Sequence, residues 1–162
     1  MDKYLFFYSA SATNGYLSNF SKHKFIERDQ TFHSVEQYMH YHKALLMNDE
    51  DTAEEILLAN TPYATKILGR NVKNFNQKIW DLNKKQIVKQ GIMLKFKQNP
   101  GIQKRLLETS PKLLVEAAGG RNGDKIWGIG FDSSEAMDNI DKWGLNLLGQ
   151  ILTEVRDEIA SD

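Results

Sequence analysis

The run from Gln77 to Lys97 constrains the fold most. Its apolar positions Ile79, Trp80, Ile87, Met93, Leu94 and Phe96 recur roughly every three to four residues, and Asn99-Pro100 closes it. That is the period of an amphipathic helix, the longest this chain should form. Other helical runs surround it. Ser34 can cap a helix with Glu36 and Gln37 in its first turn, and another spans about Glu50 to Ala59 with Ala53, Ile56 and Leu57 on one stripe. Pro62 opens a short one ending near Gly69, Gly101 to Glu108 gives a further amphipathic run, and Leu145 to Ile159 gives the last.

Strand signals are fewer. The aromatic-rich stretch Lys3 to Ser9 reads as a buried strand, with Leu113 to Ala118, after Pro111, as its partner. Phe25 to Phe32 reads as a short hairpin around Glu27 to Asp29, the segment Gly119 to Asp124 reads as a loop, and the stretch after Gly130 up to Lys142 reads as a polar connection. The expectation is an α+β fold, mostly helical, with several helices around a small sheet. A chain of 162 residues without repeat, low-complexity run or linker suits one domain over residues 1–162.

Composition excludes several functions. The chain has no cysteine, which removes disulfides, thiolate nucleophiles and Cys-based zinc sites and leaves the cytoplasm as the expected compartment. Lys plus Arg and Asp plus Glu balance at 21 each, so no net charge steers the chain toward nucleic acid, although a local pocket for a nucleotide needs none. The opening apolar stretch is too short for a membrane span or a signal sequence. A P-loop and a Gly-x-Ser-x-Gly elbow are both absent.

Two places can carry chemistry. Counting from Glu36 at about 100° per residue, His40 falls about 40° away and Lys43 about 20° away, so a carboxylate, an imidazole and an ammonium share one helical face. A solvated polar face is the plain alternative, and a metal held by His33, Glu36 and His40 is another, although the HExxH order is missing. The second place is Asn122 to Gly130, where Trp127 is followed by Gly128 and offers a plate for stacking on a backbone that a ligand can approach. A tryptophan plugging the core would read the same way.

The ordered set Tyr16-Leu17-Ser18-Asn19-Phe20, His33-Ser34-Val35-Glu36-Gln37-Tyr38 with Lys43, Gly69-Arg70, Trp80, Lys95-Phe96, Leu113-Val115-Glu116, Asp124 to Gly130, and Trp143 to Gly149 with Arg156 resembles the NADAR family. The resemblance covers the chain from about Phe6 to Arg156. It implies a compact α+β fold and hydrolysis of N-glycosidic bonds. The bond lies either in ribosylamino intermediates of riboflavin synthesis or between ADP-ribose and guanine bases of nucleic acid. By resemblance Glu36, Trp80 and Trp127 match functional positions, while Asn19, Arg70 and Asp124 fall in pocket segments, with Phe20 and Gly128 beside them.

The roles that follow are expectations. Glu36 would move protons, and Lys43 would attack C1′ of the ribose as an amine, with Lys95 as its rival. In a route without a covalent intermediate, Glu36 activates water and Asp124 stabilises an oxocarbenium-like C1′. Asn19, Phe20, Arg70, Trp80, Trp127 and Gly128 would bind substrate, Arg70 as a fork for phosphate. No cofactor or metal is called for. Guanine ADP-ribose hydrolysis would serve as an antitoxin or repair activity opposite an ADP-ribosyltransferase toxin. The competing classes are a non-catalytic reader of ADP-ribose or NAD and a purely structural helical domain.

Overall fold

The computed structural model describes residues 2–121 and 123–162; Asn122 of the expected loop therefore lies outside the described residues. The chain divides into two compact units, one of Asn19–Pro100 and one assembled from the segment up to Ser18 together with Gly101–Asp162.

The first unit holds two strands, β2 (Phe25–Glu27) and β3 (Gln30–Phe32), and four helices, α1 (Val35–Leu46), α2 (Glu50–Leu58), α3 (Pro62–Gly69) and α4 (Gln77–Lys97). The strands pair antiparallel with Phe25 opposite Phe32, and the turn residues Arg28 and Asp29 both take positive φ, 49° and 67°. Two left-handed residues in a two-residue turn match the right-handed twist of a hairpin. The free edge of β2 is closed by a side chain: Gln98 accepts from the Ile26 N–H and donates to the Ile26 carbonyl, both at 2.8 Å. Helix α1 packs on α2, α3 and α4, and each helix starts with a side-chain cap from Ser34, Asp49, Thr61 or Asn76. These caps satisfy N–H groups that have no partner within a first turn.

The long helix runs as expected over Gln77–Lys97, and its expected apolar face is buried only in part. Ile79 is 40% exposed and Ile87, Met93 and Leu94 are half-buried, whereas Trp80, Val88, Gly91, Ile92, Lys95 and Phe96 face inward. Gly91 shows why. A Cβ there would lie 2.6 Å from the Tyr38 ring, so the ring packs directly onto the Gly91 face. A glycine carries no hydrophobic weight in a periodicity count, which is how the shift escapes sequence inspection.

The second unit holds β1 (Tyr4–Phe7), a 3₁₀ turn (Gly15–Leu17), α5 (Pro100–Leu107, its first residue belonging to the other unit), β4 (Leu113–Glu116), α6 (Ser133–Ala136), a second 3₁₀ stretch (Met137–Lys142) and α7 (Leu147–Ala160). The expected pairing of β1 with β4 forms, in parallel, with Tyr4 opposite Leu113 and Phe7 opposite Glu116. Among the described residues no third strand joins this sheet, and side chains take its place. Asn146 donates to the Leu114 carbonyl (3.0 Å) and accepts from the Glu116 N–H (2.9 Å), and Thr153 accepts from the Leu114 N–H at 3.3 Å. The exposed edge that would invite pairing with another chain is thereby covered.

Gly149 lets α7 press onto the strand, since a Cβ would lie 2.1 Å from the Leu114 carbonyl oxygen. Leu148, Ile151, Leu152 and Val155 are buried, and Arg156 joins them by donating to the Lys112 carbonyl and to the Thr109 hydroxyl. The stretch expected as a polar connection contains α6, capped by Asp132, and the second 3₁₀ stretch. Elements this short carry too little periodicity to read. Among the described residues no helix is long and apolar enough to cross a membrane.

Candidate active site

Helix α1 starts where two backbone donors are satisfied from outside it. The Glu36 N–H donates to the Asn19 carbonyl at 3.0 Å, and the Gln37 N–H to the Ser34 hydroxyl at 3.2 Å. The segment Asn19-Phe20 and the helix that carries Glu36 are thus held together by main chain. The Asn19 side chain is itself buried, and its Oδ1 has no hydrogen-bond partner among the described residues.

The face read from the sequence is not a solvated one. Glu36 and His40 are each 6% exposed, and His40 Nε2 lies 2.8 Å from Glu36 Oε1. Lys43 is half-buried, donates to the Gly69 carbonyl at 2.9 Å, and sits 5.0 Å from the centroid of the Phe75 ring and 5.7 Å from that of Trp80. Burial is the main cause that holds its amine below the ordinary lysine value; the Glu36 carboxylate opposes this and the Arg70 guanidinium adds to it. An amine of this kind is neutral, and hence nucleophilic, over a wider pH range than a surface lysine. Lys95, the rival amine, is 1% exposed in the inward seam of α4, and burial pushes it down to about 7. Of the two, Lys43 is the one with an approach from solvent.

Around this face the expected binding residues differ in setting. Arg70 is exposed at the C-terminus of α3, close enough to act electrostatically on Lys43. Phe20 is half-buried with Lys66 Nζ 5.7 Å from its ring centroid. Trp80 is only 7% exposed, a wall beside Lys43 more than an open plate. Beside Lys43 an open plate is Phe75, 42% exposed; a lone aromatic in Asn74-Phe75-Asn76 has no periodic partner and so carries no signal in the sequence. His33 does not join Glu36 and His40: its ring contacts the Ser34 hydroxyl (2.9 Å) and the Ala59 carbonyl (3.0 Å), and no metal-binding group of three forms among the described residues.

The Trp127 loop is built in the other unit and by other means. Asp124 Oδ1 accepts from the Ile126 and Trp127 N–H groups, both at 2.8 Å. The carbonyls of Ile126 and Trp127 then accept from Leu147 and Leu148, the first residues of α7, at 3.0 Å each. The loop therefore caps the helix while Asp124 caps the loop. Trp127 is half-buried on this fixed backbone, so it is not a core plug. Gly128 is buried, and a Cβ there would lie 2.7 Å from the Glu116 carbonyl oxygen; packing against β4 requires the glycine. A shallow cleft on the same unit, lined by Tyr4, Leu114, Trp143, Asn146 and Thr153, holds none of the expected site residues.

Comparison with known proteins identifies the family. The chain is 43% identical to "N-glycosidase R617" of Acanthamoeba polyphaga mimivirus, covering 97% of this chain and 96% of that one. It is 34% identical to "N-glycosidase Npun_R5314" of Nostoc punctiforme, with 96% and 92% covered. It also matches "Riboflavin biosynthesis protein PYRR, chloroplastic" of Zea mays at 31%, over 94% of this chain but only 25% of the maize protein. The NMR structure of the E. coli protein YbiA is similar with a TM-score of 0.81 at 29% identity, covering 99% of this chain and 88% of that one. The model of the NADAR domain matches residues 6–160, and the chain belongs to that family.

Proposed function

We propose that this protein is an N-glycosidase that hydrolyses the bond between C1′ of a ribose and an exocyclic amine, and that its substrate is ADP-ribose attached to guanine in nucleic acid. The observation that carries the reading is the buried Glu36 carboxylate on the same helical face as an amine, Lys43, that burial keeps below its ordinary basicity. Its full-length relatives named as N-glycosidases support the reaction class.

A ribosylamine can open its sugar ring to an imine. In the covalent route, the Lys43 amine adds to C1′ and the C1′–N bond to guanine breaks as its nitrogen takes up a proton. Water then adds to C1′ of the resulting Schiff base, Glu36 takes its proton, and the C1′–Nζ bond breaks to release ADP-ribose and the free lysine. In the direct route, Glu36 activates water against an oxocarbenium-like C1′. Arg70, an exposed guanidinium beside Lys43, would take a phosphate oxygen of the pyrophosphate, and Phe75 and Phe20 offer aromatic faces. Asp124, Trp127 and Gly128 belong to the proposed binding set by family resemblance. Balanced charge favours a single-stranded or flipped-out base over a gripped duplex. The setting would be cytoplasmic, reversing the work of a guanine-directed ADP-ribosyltransferase.

The maize relative favours a second reading, hydrolysis of a ribosylaminopyrimidine phosphate. Incubating the protein with an oligonucleotide carrying ADP-ribosylated guanine, followed by mass spectrometry, separates the two. Loss of the modification with wild type, slowed about 10³-fold in Glu36→Gln, supports the first. Turnover of the pyrimidine phosphate alone assigns the second, and no turnover of either leaves a binding module.

A further inference from the structure

The Glu36–His40 pair carries more than a shared helical face. A carboxylate on a three-torsion side chain is poorly aimed unless something fixes it, and among the described residues Glu36 has one side-chain partner within hydrogen-bond reach, His40 Nε2 at 2.8 Å. The far side of the imidazole is the unusual part. Nδ1 is buried and has no hydrogen-bond partner among the described residues, and it faces Gly69, where a Cβ would lie 1.9 Å from that nitrogen. The ring therefore rests against the glycine's Cα.

This wall decides the proton. A proton on Nδ1 would point at a carbon and leave a buried donor unmade, which is true both of the imidazolium and of the Nδ1-protonated tautomer. The single proton belongs on Nε2, where it is donated to Glu36 Oε1. A carboxylate oxygen that accepts there is fixed in direction, with Oε2 left to meet water or substrate.

Gly69 has a second part in the arrangement, because its carbonyl accepts from Lys43 Nζ at 2.9 Å. One residue at the end of α3 thus sets both groups, Lys43 directly and Glu36 through the His40 ring. Its backbone is not left-handed, so alanine would fit the main chain, and the imidazole is what demands a glycine.

We propose that His40 is the positioning residue of Glu36, fixed as its Nε2-protonated neutral tautomer by the bare Cα of Gly69. The inference rests on the reading of Glu36 as the proton-moving group. Its test begins with a measurement that needs no activity: nitrogen-15 NMR of ring-labelled protein, in which His40 should show a protonated Nε2 coupled to Glu36 and a bare Nδ1. An Nδ1-protonated or doubly protonated ring overturns the proposal whatever the enzyme does.

Kinetics on the hydrolysed substrate then separates aim from packing. His40→Leu should lower kcat by about 10²-fold with little change in KM, since a misaimed reacting group costs about that much. His40→Gln, whose amide can donate to the same oxygen, should recover most of the loss, and Gly69→Ala should lower kcat while His40 loses its Nε2–H coupling. Equal impairment of the Leu and Gln variants, or a rise in KM with kcat intact, overturns the proposal. If wild type turns over no N-glycosidic substrate, the functional reading fails while the NMR result still judges the pair.

Discussion

The α1 face and the Trp127 loop reach fixed geometry by opposite routes. On α1 the backbone is an ordinary capped helix, and the side chains of Glu36, His40 and Lys43 are placed by one another, by Gly69 and by aromatic rings. In the loop the side chain of Trp127 stays half-buried while its backbone is tied at both ends, to Asp124 and to Leu148. The first arrangement suits groups that must exchange protons at set distances. The second suits a surface that must be rigid yet open. Substitutions should therefore damage turnover at the first and affinity at the second.

Lys43→Met puts the largest weight on that contrast. It keeps the packing against Phe75 and Trp80 but removes the amine, and kcat should fall about 10²-fold or more with binding of ADP-ribose retained. Borohydride added during turnover should leave an adduct on Lys43 in wild type; finding it on Lys95, or nowhere, removes the covalent route. Trp127→Ala should instead raise KM by about tenfold, the worth of one stacked base, and Trp127→Phe should raise it less. Equal effects of the two would make Trp127 a packing residue and erase the contrast.

Asp124→Ala frees the N–H groups of Ile126 and Trp127, and should cost about 1 kcal/mol in urea unfolding, as loss of a cap does, with a rise in KM and kcat nearly intact. A large fall in kcat would instead make Asp124 part of the chemistry. The smallest effect is on pH dependence. Burial holds Lys43 below its unfolded value, so between the two values the unfolded chain binds more protons and stability rises with pH. The advantage of Lys43→Met over wild type in denaturant should accordingly shrink as pH climbs toward 10.5 and vanish above it.

The same contrast explains what could be read before the fold was known. The shared face of Glu36, His40 and Lys43 follows from a helical period, and the long helix, the hairpin and the β1–β4 pair follow from apolar pattern and turn residues. Contacts made by glycines did not follow, because Gly91, Gly69 and Gly128 act through what a missing Cβ lets in, and no pattern of side chains reports that. The Asn146 bridge also escaped, since a side chain that stands in for a strand resembles any polar residue before a helix. Phe75 is legible only once Lys43 is seen beneath it.

The parallel pairing of β1 with β4 has a consequence for synthesis. Tyr4 leaves the ribosome first, yet its partner Leu113 follows on the order of a hundred residues later, after the whole of the Asn19–Pro100 unit. The inserted unit has all of its own contacts available while the N-terminal strand still waits, and closing so long a loop costs entropy that only the later half of the chain can repay. A nascent chain stalled before Leu113 would carry the Glu36 face with the aromatic strand Tyr4–Phe7 still unpaired.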